Sequence, residues 1–406
     1  MSGLQGKRIL FGVTGSIAAY KAAQWVRDLG KEEALVDVVM TAAAEKFVTP
    51  LTFAALSGNH VHRDMFDEAA ELVMAHINLS RDADILLIAP ATAQTLAKLA
   101  AGIADNLLTA VVLAARIPVV LCPAMNTAMW THAATQNNLL RVRQLGYHVV
   151  QPGCGSMACG ETGDGRLAEW DCVREALLSL LQPADLSGKK VMITAGPTRE
   201  PLDPVRFLSN RSSGKMGYAL ARTARRRGAE VTLVTGPVAL PPPPGIVVIP
   251  VTTAEDMAEA VLARSDEMDI IVKSAAVADF KPLACQSLKI KKTGQGLQLD
   301  LVKNIDILLE LGRKRRKHQL LVGFAAESHD HVEEGRRKLS AKNLDLIVVN
   351  DILGPRTGFD VDTNQVSLIS RSFSRQLPLL SKEDTADQIW DTVATFFNDS
   401  QIESLS

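Results

Sequence analysis

Residues 190–217, KVMITAGPTREPLDPVRFLSNRSSGKMG, decide how the chain is built. The apolar run Val191–Ile193 breaks at Ala195-Gly196-Pro197, a long polar loop follows, and Ser212-Ser213-Gly214-Lys215 leads into an apolar helical pattern. That is how the first strand, loop and helix of a nucleotide-type α/β domain read. The stretch lies halfway along a chain of 406 residues, and an equivalent start stands near the N-terminus. There a buried-strand run, Arg8–Val13, meets the turn Gly12-Val13-Thr14-Gly15-Ser16 and a helix reaching to about Leu29. The chain starts twice, which predicts an α/β protein of two Rossmann-like, doubly wound domains. The linker between them falls near 183–188, where Pro183 and Gly188 interrupt the pattern.

The segment Ser212–Lys215 invites a P-loop reading, which fails on spacing. A Walker A needs Gly at 209 and Ser or Thr at 216, and the chain has Ser209 and Met216. A helix N-terminus suited to phosphate or carboxylate remains.

Bulk composition sets outer bounds. Hydrophobic residues make up 47% and charged residues 22%, an ordinary globular balance. A net charge of -1 gives no electrostatic case for nucleic acid or a membrane surface. The opening MSGLQGKRILFGVTGS lacks a signal-peptide cleavage pattern, and no stretch reaches transmembrane length. Five cysteines, Cys122, Cys154, Cys159, Cys172 and Cys285, form an odd, sparse set without zinc-type spacing. A cytoplasmic protein with free thiols is expected.

In the first half, strands are expected at Val36–Met40, at 84–89 and at 117–121. Doubly wound sheets bind ligands beyond the carboxyl ends of their strands. Gly15-Ser16, Thr41, Ala91-Thr92 and Met125-Asn126 should therefore converge on one crevice. The glycine turn is either a phosphate site or only a tight turn, and its spacing is not the dinucleotide fingerprint GxGxxG. Further on, residues 153–165 hold five glycines in thirteen. That composition predicts a mobile loop without regular structure, in which Cys159 is a functional thiol rather than an inert one. His76, before the pair Ile77-Asn78, reads from its surroundings as structural.

In the second half, Leu288–Lys291 and Leu297–Leu301 alternate in period two about Thr293-Gly294, which predicts a β-hairpin with a basic face. Such a hairpin is either a solvated edge with protective lysines or a lid that carries Lys289 onto a triphosphate. Asp279, near a strand end, either binds a ribose or base or caps a turn. An edge strand is expected over 361–370, a closing helix over 382–397, and the run Arg313–Lys317 reads as solvated surface.

Several segments together resemble known families. GVTGSIAAYK (12–21), APAT (89–92), PAMN (123–126) and ACGETGDGR (158–166) resemble the flavin-dependent cysteine decarboxylases, and more narrowly phosphopantothenoylcysteine decarboxylase, over roughly residues 5–180. The resemblance implies a flavodoxin-like domain with FMN in the crevice, held by Gly15, Ser16, Thr41, Thr92 and Met125. It also implies oxidation of the substrate thiol, loss of CO2 from the resulting thioaldehyde, and a final reduction. Cys159 would donate the proton of that last step, Asn126 would bind the substrate carboxylate, and His76 would be the acid/base residue.

ITAGPTREPLDPVR, SNRSSGKMG, AAVADF, KIKK and GFAAE resemble phosphopantothenate–cysteine ligase over roughly 189–350. The resemblance implies a nucleotide-binding ligase domain that uses CTP with Mg2+ and works through an acyl-cytidylate. Asn210 would act on that intermediate and Arg206 would support attack by L-cysteine. Lys289 would meet the triphosphate, and Asp279, Ile305, Asp306, Ile307, Leu308, Phe324, Lys338 and Lys342 would hold the nucleotide. In the segment VKNIDI the family usually has proline where this chain has Ile305. Backbone N–H groups should bind there, so activity is expected to survive the difference.

The expected organisation is therefore a decarboxylase domain over 1–185 and a ligase domain over 186–406, acting on 4'-phosphopantothenate, L-cysteine and CTP. The resemblance further implies trimers of the first domain and dimers of the second, hence a homododecamer, with no nucleic acid or membrane partner. Three other readings stand beside it: a flavoprotein fused to a ligase for other substrates, an NAD-dependent oxidoreductase, and a non-catalytic flavin-binding subunit. The paired motifs oppose the first, the absent fingerprint the second, and the presence of Cys159, Asn126 and His76 the third.

Overall fold

The computed structural model describes residues 3–66, 74–157, 160–291, 297–327, 331–351 and 361–403. The chain separates into two compact units, Met1–Gln182 and Pro183–Ser406.

The first unit runs β1 (Arg8–Val13), α1 (Ala19–Lys31), β2 (Leu35–Met40), α2 (Pro50–Ser57), β3 (Val61–His62), α3 (Ala75–Asp82), β4 (Ile85–Ala91), α4 (Ala93–Ala101) and α5 (Leu107–Ala114). It continues with β5 (Val119–Pro123), α6 (Thr127–Thr131), α7 (Ala133–Gln144), β6 (His148–Val149), β7 (Gly153–Ser156), β8 (Thr162–Arg166) and α8 (Trp170–Leu181). The main sheet has the order β3-β2-β1-β4-β5-β6, all parallel. Its strands are near-continuous apolar runs because both faces are covered. Trp25, Leu29, Phe53, Val173 and Leu177 pack on one face, and Leu96, Leu108, Val111, Leu139 and Val142 on the other. Each such side chain contributes roughly 2 kcal/mol of burial.

The glycine-rich stretch departs from the expectation of an irregular loop. Its described residues form an antiparallel ladder, with Gly153 opposite Arg166 and Ser156 opposite Thr162. Glycine here serves close approach. A Cβ on Gly165 would stand 2.3 Å from the Met125 carbonyl oxygen, and its φ of +128° disfavours any other residue. The Met125 N–H donates to the Gly165 carbonyl at 2.9 Å, so the hairpin is seated on the end of β5.

The second unit runs β9 (Lys190–Ala195), β10 (Arg199–Pro201), β11 (Phe207–Ser209), α9 (Lys215–Arg226), β12 (Glu230–Thr235), β13 (Val247–Pro250), α10 (Ala254–Leu262), β14 (Ile270–Lys273), β15 (Phe280–Pro282) and β16 (Leu301–Lys303). Then come α11 (Ile307–Lys314), β17 (Leu320–Glu327), α12 (His331–Ala341), β18 (Leu346–Asp351), β19 (Thr363–Asn364), β20 (Val366–Ile369), β21 (Ser374–Gln376), β22 (Leu380–Ser381) and α13 (Lys382–Glu403). The sheet order is β13-β12-β9-β14-β17-β18-β20-β21, parallel as far as β18 and antiparallel beyond it. Helix α13 seals α9: Trp390 is fully buried and its indole N–H donates to the Leu220 carbonyl at 3.1 Å. Arg227, also buried, ties Asp185 near the start of the unit to Asp391 on α13. Removing either end of that network would leave a charge without its partner inside the protein.

Two strand expectations change. Residues 288–291 are not a strand; Leu301–Lys303 instead pairs antiparallel with Phe280–Pro282. The period-two pattern was real, but its partner is fixed from outside: the Asn304 N–H donates to the Asp279 carbonyl and its side-chain amide to the Ala278 carbonyl, both at 2.8 Å. The stretch 361–370 is not the sheet edge either, because β21 covers β20.

Candidate functional site

In the first unit, Gly15, Ser16, Thr41, Thr92 and Met125 line one cavity of about 550 Å³ at the carboxyl ends of β1, β2, β4 and β5. The crevice sits where the sheet order reverses, between β1 and β4. Thr14 locks it. Its buried hydroxyl donates to the Pro90 carbonyl at 2.6 Å and accepts the Thr92 N–H at 3.2 Å, joining the two strand ends. Gly15 lets the turn pass against the loop after β2, for a Cβ there would stand 2.5 Å from the Ala43 Cβ. Helix α1 starts beside the crevice, its entry held by Ser16: the Ala18 N–H donates to the Ser16 hydroxyl at 3.3 Å and the Ala19 N–H to the Ser16 carbonyl at 2.9 Å. The residue pattern did not single out Thr14, or the Lys98–Asp105 pair at 2.7 Å that also lines this cavity. The sequence Asp105-Asn106-Leu107-Leu108-Thr109 carried a signal, since Asn106 and Thr109 form a capping box at the start of α5.

An adjoining pocket of about 490 Å³ lies between Ser16, Met125 and Asn126 and the glycine hairpin, which adds Met157, Gly165 and Arg166. Asn126 caps α6, accepting the Ala128 N–H at 2.8 Å, and its amide donates to the Glu161 carboxylate at 2.6 Å. His76 lies at the start of α3 and lines neither pocket; its Nδ1 is buried without a hydrogen-bond partner. Cys159 lies outside the described residues. Cys122 is a buried thiol whose pKa burial pushes far up, so it is inert as a thiolate.

In the second unit, Asn210, Asp279, Leu308, Phe324, Lys338 and Lys342 line one cavity of about 440 Å³ at the carboxyl ends of the central strands. The Asn210 amide donates to the Val277 carbonyl at 3.0 Å. Asp306 stands behind the pocket wall. It accepts the Leu309 N–H at 3.1 Å and pairs with Lys342 at 2.8 Å. Burial works to raise its pKa, but those two partners outweigh it and hold the carboxyl below the usual range. Ile307 is buried in the core and Ile305 is exposed.

Arg206 and Lys289 do not line the cavity. They are joined to each other's segments through Asp203, a buried carboxylate. Its oxygens accept the N–H groups of Val205 and Arg206 at 2.8 Å and of Ile290 at 3.1 Å. Burial opposes its charge, yet these N–H donors and Arg206 keep its pKa low. Arg206 also donates to the Ile290 carbonyl at 3.3 Å, so the Arg206 turn and the segment carrying the exposed Lys289 are held as one piece. Lys215, at the helix start weighed above for an anion, lines the same cavity, as do Lys273 and Lys382, which no motif marks. Lys273 had a readable signal, a lysine ending a buried parallel strand. Lys382 had none nearby.

Residues 2–182 match the Flavoprotein family, and residues 186–397 match the DNA/pantothenate metabolism flavoprotein C-terminal domain. The coenzyme A biosynthesis bifunctional protein CoaBC of Bacillus subtilis (strain 168) is 47% identical over 396 residues, spanning 96% of this chain and 97% of that protein. The chain belongs to this family of bifunctional coenzyme A biosynthesis proteins. The relative of the same name from Escherichia coli (strain K12) is 44% identical over 400 residues, covering 98% of both chains. Among solved structures, the C-terminal domain of a CoaBC protein is 40% identical with a TM-score of 0.46, covering 53% of this chain and 99% of that one. A PPC decarboxylase variant is 32% identical with a TM-score of 0.39, covering 43% and 97%. The protein is thus a bifunctional enzyme of coenzyme A biosynthesis that combines decarboxylase and ligase activities, and it carries a flavoprotein domain. Among the described residues no helix is long and apolar enough to cross a membrane.

Proposed function

We propose that residues 1–185 form an FMN-dependent phosphopantothenoylcysteine decarboxylase domain and residues 186–406 a CTP-dependent phosphopantothenate–cysteine ligase domain. The observation that carries this division is the contrast between the two crevices. One carries a row of small and hydroxyl side chains and a single lysine, Lys98, paired with Asp105; the other is ringed by lysines.

The residues of the first crevice fit FMN. Gly15 lets the turn pass against Ala43 where a Cβ would clash, and the hydroxyls of Ser16, Thr41 and Thr92 line the cavity as donors for a phosphate and a flavin ring. Gly15, Ser16, Thr41, Thr92 and Met125 would hold the cofactor. Bound there, FMN supplies two-electron oxidation and reduction, which gives the carboxylate the electron sink it lacks. The protein's own groups do the rest. Asn126 holds the substrate carboxylate with the amide that now donates to Glu161, and the hairpin forms one wall of that pocket. His76 handles a proton at its imidazole, and Cys159 gives one from its thiol in the last step.

In the ligase domain, Lys289 meets the triphosphate. Asp279, Phe324, Lys338 and Lys342, with the backbone of residues 305–308, hold the cytidine. A carboxylate is a poor acyl donor until its oxygen becomes a good leaving group. Cytidylyl transfer would achieve that, and Mg2+, if held through the CTP phosphates, would supply neutralisation of the developing charge. Asn210 then positions the acyl-cytidylate and Arg206 supports attack by L-cysteine. We place the enzyme in the cytoplasm as a homododecamer.

The test is incubation of the purified protein with 4'-phosphopantothenate, L-cysteine and either CTP or ATP, following pyrophosphate and CO2 together. Pyrophosphate with CTP, followed by CO2 from the ligated product, is expected. Turnover with ATP alone would overturn the choice of nucleotide. Cys159→Ser should release CO2 yet fail to yield 4'-phosphopantetheine, with ligation unchanged; full turnover in that variant removes Cys159 from its role.

A further inference from the structure

Lys273 ends β14, the strand next to the central β9, and its side chain lines the ligase cavity beside Asp279, Lys342 and Phe324. Among the described residues it forms no hydrogen bond or ion pair. Its charged neighbours are a carboxylate engaged elsewhere, a like charge, and one carboxylate on the same wall. Asp306, at the N-terminus of α11, is paired with Lys342 and caps its own helix. Lys342, just beyond α12, is a like charge facing Lys273. Asp279, after β14, is an opposite charge on the same cavity. Around the rest of the wall, Lys215 is paired with Asp362, Lys382 donates to Asn364, and Lys338 and Arg211 complete the cationic lining.

A half-buried ammonium with no hydrogen bond or ion pair is costly to hold charged unless something arrives to meet it. We propose that Lys273 is a nucleotide-contacting residue of the ligation site, its ammonium meeting an acceptor oxygen of the bound nucleoside triphosphate. This role presupposes that the cavity takes a nucleotide. It also has a thermodynamic consequence. Burial first, and the neighbouring Lys342 second, lower the Lys273 pKa to about 8. An acceptor oxygen favours the charged form and raises that value on binding. The nucleotide therefore binds the protonated lysine best, and above about pH 8 binding must draw a proton from solution.

The test is calorimetric titration of the full chain with Mg-CTP, in two buffers of different ionisation enthalpy. Uptake of about 0.7 proton per site is expected at about pH 8.5, with affinity falling about eightfold between about pH 7.5 and 9. Lys273→Met should bind at least about tenfold more weakly at neutral pH and take up no proton. Lys273→Arg, charged throughout, should bind with an affinity that no longer falls with pH. Wild-type binding without proton uptake, or Met binding equal to wild type, overturns the role of Lys273 while the nucleotide site stands. The same titration with Mg-ATP separates the two readings further. If ATP binds in place of CTP, the choice of base is wrong and the proton count is read with ATP. If neither triphosphate binds, both the nucleotide site and the role of Lys273 fall.

Discussion

The two units wind their parallel sheets in the same way, outward from a central first strand, and each opens a crevice beside it. In both, the turn that leads from that strand towards the next helix lines the crevice. The walls differ. The cation on the first cavity is Lys98, already neutralised by Asp105. The second presents several, among them Lys273, Lys338 and Lys342, the last paired with Asp306, with Asp279 as the carboxylate on its wall. A shared backbone scaffold thus sets where a ligand binds, and side-chain charge sets which one. A flat cofactor with a single phosphate needs little beyond a helix start. A triphosphate needs several cations in a low-dielectric cleft, where one charge pair at 4 Å is worth about 4 kcal/mol at an effective dielectric near 20.

That contrast can be broken in graded steps. The largest effect is expected from an acid placed at the mouth of the cationic cavity. Asn210→Asp should slow ligation by about 100-fold or more and let acyl-cytidylate build up, while CO2 release from supplied phosphopantothenoylcysteine stays normal. Equal loss in both reactions would show that the two crevices do not work separately. Next, Gly165→Val forces a side chain into the Met125 carbonyl and into a left-handed conformation. It should cost about 2–4 kcal/mol locally and cut decarboxylation more than about tenfold with ligation intact, read from CO2 release and flavin absorbance. An intact flavin spectrum and full rate would mean the hairpin is not seated as described.

Ionic strength then sharpens the comparison without mutation. Raising salt from about 0.05 to 0.5 M should weaken nucleotide binding by about tenfold and flavin binding by about twofold, since screening acts on the many-charged site. Equal sensitivity would remove the electrostatic distinction. The smallest effect concerns acid. The pKa of Asp203 is held low in the folded protein, so its stabilisation is full above the ordinary carboxyl value of about 4 and is lost as pH falls through the lower folded value. Asp203→Asn should lower the melting temperature of the full chain by a few degrees at neutral pH and flatten its decline on acidification. An unchanged acid limb would mean that other carboxylates govern it.

Much of this architecture was legible locally. Apolar runs that end at Gly15-Ser16, Thr41, Thr92 and Met125 mark strands whose carboxyl ends share a side, and the structure brings those residues onto one cavity. The glycine hairpin is not legible in composition, which registers flexibility but not contact. Its glycines are matched to Met125 and Thr127, which lie some forty residues earlier in the chain. The 288–301 segment was misjudged for a related reason. Alternation names a strand, and Asn304, anchored to residues 278 and 279, chooses its partner.

By itself the sequence determined that the chain starts twice, where each strand ends, and which polar residues those ends carry. These follow from local periodicity and turn chemistry, which act over a few residues. Tertiary structure alone decided which of those residues meet. It set Lys273 against Lys342 and Asp306, tied the Arg206 turn to Ile290 through Asp203, and brought Lys382 from the closing helix to the lysine-ringed cavity. Such contacts join segments dozens to more than a hundred residues apart. They are fixed by how sheets and helices pack in three dimensions, a constraint that no local spacing records.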